Sequence, residues 1–286
     1  MSSAQFQIVS DLHLETHPSY DGFKLRKTAE YLALLGDIGH VGDDRFLSFI
    51  EKQVQRYWAV FFLLGNHEPY HLDFPAAKSR MRAFADKMEA KRRTSTIGRF
   101  IFLDQTRYDM PGYRLTILGC TLFSHITKEQ AASVASRFVD FKDIVDWTVE
   151  QHNLAHQSDL EWLNAEVAKI AREQPTRNIA IFTHHSPCSA KEATRPKHRN
   201  SEVSSGFVTN LEREECWTNL RVKMWAFGHT HFNCDFEDKL DGETGTETST
   251  ETSTGTRTKR VVANQKGYYL LPEHDFNVGK VFEVGE

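Results

Sequence analysis

Long apolar runs, paired cysteines and an excess of positive charge are all missing from this sequence of 286 residues. No stretch approaches the ~18 consecutive apolar residues that a membrane-spanning helix needs, so no membrane partner is expected. Met1 to Gln5 lead straight into an apolar, strand-like run, without the basic segment, apolar core and small-residue cleavage site of a secretory leader. The expected location is therefore cytoplasmic. Cys120, Cys188, Cys216 and Cys234 are widely spaced and form no Cys-x-x-Cys pair, which excludes a thiolate metal site and points to reduced, structural thiols. Lys and Arg number 35 against 39 Asp and Glu, a formal charge of −4 that exerts no general pull on nucleic acid. No basic stripe with interleaved aromatics appears either, and nucleic acid is not an expected partner. An anionic substrate must be held by something local. What is abundant is histidine, 14 residues, a density that commonly marks metal or proton chemistry.

With 40% hydrophobic residues the chain is long enough to bury a full core, and it reads as a single domain over 1–286. Short Val-, Ile- and Phe-rich runs alternate with helix-like segments, the pattern of a layered α/β or α+β domain. The runs predict strands at Gln5 to Val9, Tyr31 to Leu35, Ala59 to Leu64, Arg99 to Leu103 and Arg114 to Leu122. Further strands are expected at Asn178 to Thr183, Val222 to Phe227, Arg260 to Ala263 and Lys280 to Val284. Apolar residues near 3.6 spacing predict helices over Asp43 to Tyr57, Ala76 to Arg93 and Ser158 to Glu173, the last with Leu160, Leu163, Val167 and Ile170 on one stripe. The histidines at 17, 71, 125, 152, 156, 198 and 274 read as surface or capping residues, with His71 and Tyr70 as candidates for the pocket lining. Asp241 to Thr258 breaks the pattern, with threonine at every second position from Thr244. It lacks large apolar residues and reads as a flexible loop inserted in a hairpin, or alternatively as an extension of that hairpin.

Five short clusters carry the chemistry: Ser10-Asp11-Leu12-His13, Gly36-Asp37-Ile38-Gly39-His40, Gly65-Asn66-His67-Glu68, Thr183-His184-His185-Ser186-Pro187 and Gly228-His229-Thr230-His231. Each follows or ends an apolar strand-like run, and consecutive strands of a layered sheet bring such ends to one edge. Asp-x-His and His-x-His are informative because alternate residues of an extended segment point the same way. The glycines at 36, 65 and 228 read as positions where the backbone turns tightly or approaches the site. Carboxylates at Asp11 and Asp37, an amide at Asn66 and imidazoles at His13, His184, His229 and His231 make seven donors without a thiolate. Such a set suits Mn, Fe, Ni, Co or Zn, and seven donors exceed one open site. They fit two divalent ions sharing a carboxylate, an arrangement that activates water and clamps a phosphoryl group.

These blocks, in this order, resemble the calcineurin-like metallophosphoesterases, whose DxH, GDxx(D/N), GNH(D/E), HxP-like and GHxH motifs they match from Asp11 to His231. The resemblance implies a four-layer α/β/β/α sandwich of two mixed β-sheets flanked by helices, within the α+β class. It further implies that Asp11, His13 and His231 bind one metal, that Asn66, His184 and His229 bind the second, and that Asp37 bridges them. By the same resemblance His67 faces the substrate phosphate, as a hydrogen-bond donor or as a proton donor to the leaving oxygen. His185 would stand behind a metal ligand or face the substrate. One departure stands out. The protein-phosphatase branch places an aspartate three positions after the bridging one, paired with its equivalent of His67, where this chain has His40. Its arginine before the GNH block is also replaced, by Leu64. A protein phosphatase is therefore not expected, and a His40 near His67 would disfavour both being protonated.

The expected function is hydrolysis of a small phosphate mono- or diester by a hydroxide bridging two divalent metals, with manganese, iron, zinc and nickel as candidates. The segments Thr127 to Gln157 and Ser189 to Gly206 are candidate pocket walls. The alternative is a catalytically silent binding or scaffold module on the same fold.

Overall fold

A computed structural model describes residues 3–16, 20–240, 257–268 and 270–285. His17 and the greater part of the threonine-rich segment, 241–256, lie outside the described residues.

Two mixed sheets face each other. The first contains β1 (Ala4–Val9), β2 (Tyr31–Leu35), β3 (Ala59–Leu63) and β4 (Arg99–Phe102) in parallel succession, with β11 (Val281–Val284) antiparallel beside β1. The second contains β5 (Thr106–Asp109), β6 (Leu115–Gly119), β7 (Asn178–Phe182), β8 (Val222–Phe227), β9 (Cys234–Leu240) and β10 (Arg257–Ala263). Their order is β5-β6-β7-β8-β10-β9, with the two edge strands antiparallel to their neighbours. Strands β2 and β3 are apolar at every position because both faces are covered. Ala33 and Leu35 point inward to meet Phe61, Phe182 and Val262 between the sheets. Leu32 and Leu34 point the other way, onto Phe46, Phe49, Met81 and Phe84. Those residues belong to α1 (Asp44–Val54) and α2 (Phe74–Arg92), which form the outer layer on this side. After two short helices, α3 (Ala131–Arg137) and α4 (Asp140–Asp143), comes α5 (Val149–Glu173), whose Leu163, Val167 and Ile170 pack against Ile179, Ile181 and Trp225 on the far side. The result is the expected four-layer sandwich.

Three differences from the sequence reading have physical causes. Helix α5 starts at Val149, well before Ser158, because Thr148 and Gln151 form a reciprocal capping box. Its first turns bury His152, His156 and Asp159, so the helix carries no apolar stripe there. His152 and His156 are accordingly core residues, contrary to the surface role expected of them. Strands β5 and β9 were not anticipated, since each is an edge strand with polar residues on its open side. The run expected from Arg114 to Leu122 ends at Gly119, and the chain turns away through Leu122 and Phe123 in left-handed backbone. The antiparallel register pairs Arg257 with Leu240, so residues 241–256 join neighbouring strands of one hairpin. All four cysteines are free.

Candidate metal centre

Parallel strands β1, β2, β3, β7 and β8 release their C-terminal ends along one edge of the sandwich. The five clusters occupy those ends, and the structure brings Asp11, His13, Asp37, Asn66, His67, His184, His229 and His231 together there. The mode of convergence differs from the extended pairs expected. Asp11, His13, Asp37, His229 and His231 all adopt positive φ, between 45° and 69°. Left-handed backbone is uncommon outside glycine, although Asp and His tolerate it better than most, and each such residue costs on the order of 1–3 kcal/mol. The strain is held by a lattice of short-range bonds. The Asp11 and His13 amides donate to the Gly36 and Asp37 carbonyls, each at 3.0 Å. The His67 amide donates to Asp37 Oδ1 at 2.9 Å, and the His229 amide donates to Asp11 Oδ1 at 3.1 Å. Buried Glu68 accepts from the amides of Asp37, Ile38 and Gly65 at 2.7–2.9 Å and so fastens the β2 and β3 turns to each other. Gly36, at φ +81°, leaves no room for a side chain, since a Cβ would stand 2.5 Å from His184 Nδ1.

The donor atoms form two groups. In the first, His13 Nε2 lies 3.0 Å from His231 Nε2, and His231 Nε2 lies 3.2 Å from Asp11 Oδ1. In the second, His184 Nε2 lies 3.0 Å from Asn66 Oδ1 and 3.4 Å from Asp37 Oδ1, with His229 alongside. Asp37 reaches both groups, its Oδ2 being 3.9 Å from His13 Nε2. The tautomers follow from the outer partners. His184 Nδ1 faces the Leu35 carbonyl at 2.8 Å and must donate to it, which leaves Nε2 as a lone pair when the ring is neutral. The Asn66 amide nitrogen donates to Asp140 Oδ1 at 2.9 Å, which turns its oxygen inward. Three acceptors, His184 Nε2, Asn66 Oδ1 and Asp37 Oδ1, therefore converge without a hydrogen between them unless His184 is protonated. That arrangement fits a cation. Without thiolates, the nitrogen and oxygen donors suit borderline or harder divalent metals.

The charges behave accordingly. Burial would raise the Asp37 carboxyl, but the neighbouring His184 and His67 hold it well below the usual carboxylate range. Asp11 is likewise lowered, against burial, by its bond to His231. Burial depresses His184, yet Asp37 outweighs it and lifts the imidazole to about 9. His229, buried and facing His184, falls to about 3. Without metal, the protein thus supplies protons where a cation would otherwise neutralise the carboxylates.

Four neighbours of the site have roles that the sequence reading did not assign. Glu15 is the most informative: its Oε1 accepts from His13 Nδ1 at 3.1 Å and from His67 Nδ1 at 3.0 Å. His67 therefore has a carboxylate partner after all, from the β1 turn, so the missing aspartate at position 40 does not leave it unsupported. Burial opposes ionisation of Glu15, but these hydrogen bonds prevail and bring it to about 2. His67 is depressed by burial and raised more strongly by Asp37, Glu15 and Asp140, to about 10. Asp140 is the second addition, accepting from Tyr70 as well as Asn66, while Tyr70 stacks on His67 at 4.4 Å. The third is Glu68, and the fourth is Tyr268, whose ring lies 4.5 Å from His13 and 4.7 Å from His231. The spacing Asp11-x-His13-x-Glu15 was a visible signal for Glu15; nothing in the sequence marks Asp140.

The two outlying histidines sit differently. His40 touches Tyr70 and His71, behind the ring that stacks on His67, and its amide donates to Tyr20. His185 is fully buried, its ring 4.1 Å from His229 and 5.6 Å from Phe123, with neither nitrogen hydrogen-bonded among the described residues. It packs directly against His229.

Known proteins resemble this chain in sequence and in fold. The calcineurin-like phosphoesterase family model matches residues 5–233. An uncharacterised protein of Acanthamoeba polyphaga mimivirus is 24% identical over 252 residues, covering 80% of this chain and 85% of its own length. The phosphopantetheinyl hydrolase of Mycobacterium tuberculosis shares the fold, with a TM-score of 0.60 at 14% identity, over 93% of this chain and 90% of that one. With the family model spanning the clusters from the β1 turn to His231, the chain belongs to the calcineurin-like phosphoesterases.

Proposed function

We propose that this protein hydrolyses a small phosphate mono- or diester with two divalent metal ions, held in one case by Asp11, His13 and His231, in the other by Asn66, His184 and His229, with Asp37 shared. The observation that carries the reading is the convergence of acceptors on His184 Nε2 and, beside it, the approach of the His13 and His231 nitrogens. Divalent cations in such a site supply Lewis acidity, which neutralises phosphoryl charge and acidifies water. The remaining roles fall to the chain. His13 and His67 are both held as Nδ1–H tautomers by Glu15, so their Nε2 atoms face the site. When protonated, His67 Nε2 donates a hydrogen bond to the phosphoryl group or a proton to the leaving oxygen. Tyr268 covers the same side. Manganese, iron, zinc and nickel all match the donor set. The whole chain acts as one domain in this proposal, in the cytoplasm; among the described residues no helix is long and apolar enough to cross a membrane.

The test is turnover of p-nitrophenyl phosphate and bis(p-nitrophenyl) phosphate by chelator-stripped protein resupplied with each metal. We expect metal-dependent hydrolysis that falls at least a hundredfold in Asp37→Asn. Two ions bound per chain with no turnover of either ester would favour a silent binding module instead.

A further inference from the structure

A cavity of about 860 Å³ opens beside the metal centre and shares Thr230, His231 and Tyr268 with it. Its charge is unlike that of the molecule. Lys191, Arg195, Lys197 and Arg199 line it against a single carboxylate among the described residues, Glu273, in a chain whose formal charge is −4. Arg195 already engages Glu273 and donates to the His231 carbonyl at 2.7 Å. Arg199 donates from Nε and Nη2 to the Thr194 and Lys191 carbonyls, which shape the loop, and pairs with no carboxylate among the described residues. Lys191 approaches only the exposed Glu192, at 3.8 Å, a pair of little energetic weight. Lys197 has no ion-pair partner among the described residues. Three cations on one nine-residue segment thus face no carboxylate closer than Glu192 among the described residues. The cavity also has an apolar part, formed by Phe207, Val208 and Leu271.

The scissile phosphate would be met by the metal centre, so this positive segment is surplus to it. We propose that the cavity binds a second phosphate of the substrate, making the substrate class a phosphate ester with a distal anionic phosphate and an apolar or planar middle portion. Lys191, Lys197 and Arg199 hold the distal group, and Phe207, Val208 and Leu271 pack against the middle. The inference rests on the hydrolase reading for the identity of the first phosphate, but its test does not require turnover.

The probes are butylphosphonate and butane-1,4-diphosphonate, whose P–C bonds resist hydrolysis, titrated calorimetrically into metal-loaded protein. The diphosphonate is expected to bind at least tenfold more tightly, with an advantage that shrinks at high salt. Lys191→Gln/Lys197→Gln, which leaves the loop-shaping Arg199 and the His231-tethering Arg195 in place, is expected to reduce that advantage below threefold while leaving butylphosphonate affinity unchanged. Equal affinities in the unmodified protein, or an advantage that survives in the double variant, would overturn the proposal. So would an oligothymidylate that displaces the diphosphonate with higher affinity, since the segment would then be reading a polymer. No p-nitrophenyl ester turnover by the unmodified protein, alongside a diphosphonate preference that the double variant loses, would sink the hydrolase reading and leave the two-phosphate binding site standing.

Discussion

Removal of Glu15 tests whether the β1 turn orients His67. Glu15 Oε1 is shared by the Nδ1 atoms of His13 and His67, and its side chain is only 7% exposed. Truncation in Glu15→Ala leaves two buried imidazole N–H groups without an acceptor. Each bond to a charged acceptor contributes about 1.5–3 kcal/mol, so loss of the His67 bond alone corresponds to a roughly 10- to 150-fold fall in kcat. Glutamine is not a neutral replacement. Oε2 has no partner among the described residues, so an amide nitrogen placed there would be a buried, unsatisfied donor. The assay is a double-mutant cycle on bis(p-nitrophenyl) phosphate with Glu15→Ala and His67→Ala, with metal content measured for every variant. If Glu15 acts through His67, its removal costs little once His67 is gone, and the effects are far from additive. A cycle that adds within experimental error, at unchanged metal content, would refute the argument. A loss of metal in Glu15→Ala alone would instead assign the effect to His13.

Three further outcomes follow from the same geometry. Burial, helped by His156, pushes His152 down to about 3 from its ordinary 6.5. The unfolded chain therefore takes up this proton first, and stability falls as pH drops below about 6.5, by about 2 kcal/mol on reaching pH 5. His152→Gln should lose about 2 kcal/mol less than the parent across that window in urea unfolding, and equal losses would contradict the buried neutral ring. His184, held near 9 by Asp37, must give up its Nε2 proton to become a ligand. Loading the metal at pH 7.5 should thus release about one proton from this residue, read from calorimetry in buffers of different ionisation enthalpy, and His184→Ala should abolish that release. A Cβ on Gly65 would press on Asp37 Oδ1 and stand 2.7 Å from His184 Cε1. Gly65→Ala is expected to weaken metal binding by about 10- to 100-fold while the circular dichroism spectrum is retained; unchanged affinity would show that the turn yields without moving Asp37.

The blocks from Asp11 to His231 were legible because each is local: a strand end, a tight turn and two or three donors within a few residues. Strands β2 and β3 were legible for a similar reason, since burial on both faces writes an unbroken apolar run. What the sequence hid depends on contacts between distant segments. Asp140 lies 74 residues from Asn66, and nothing near it in the chain announces that it turns the amide oxygen of Asn66 inward. The first half of α5 was hidden because its inward face is His152, His156 and Asp159, polar side chains whose burial is made acceptable by Ser124, Leu122 and Gln105. Glu15 lies between the two cases. Its register with Asp11 and His13 was visible, but an extended reading of that register would have aimed it at the metals together with them. The left-handed residues at Asp11 and His13 change that: they carry Glu15 behind His13, where its carboxylate supports two imidazoles and ligates nothing in the arrangement proposed. Backbone strain at those two residues therefore separates the carboxylate that supports from the carboxylates that bind, and that separation supplies the partner for His67 that position 40 lacks.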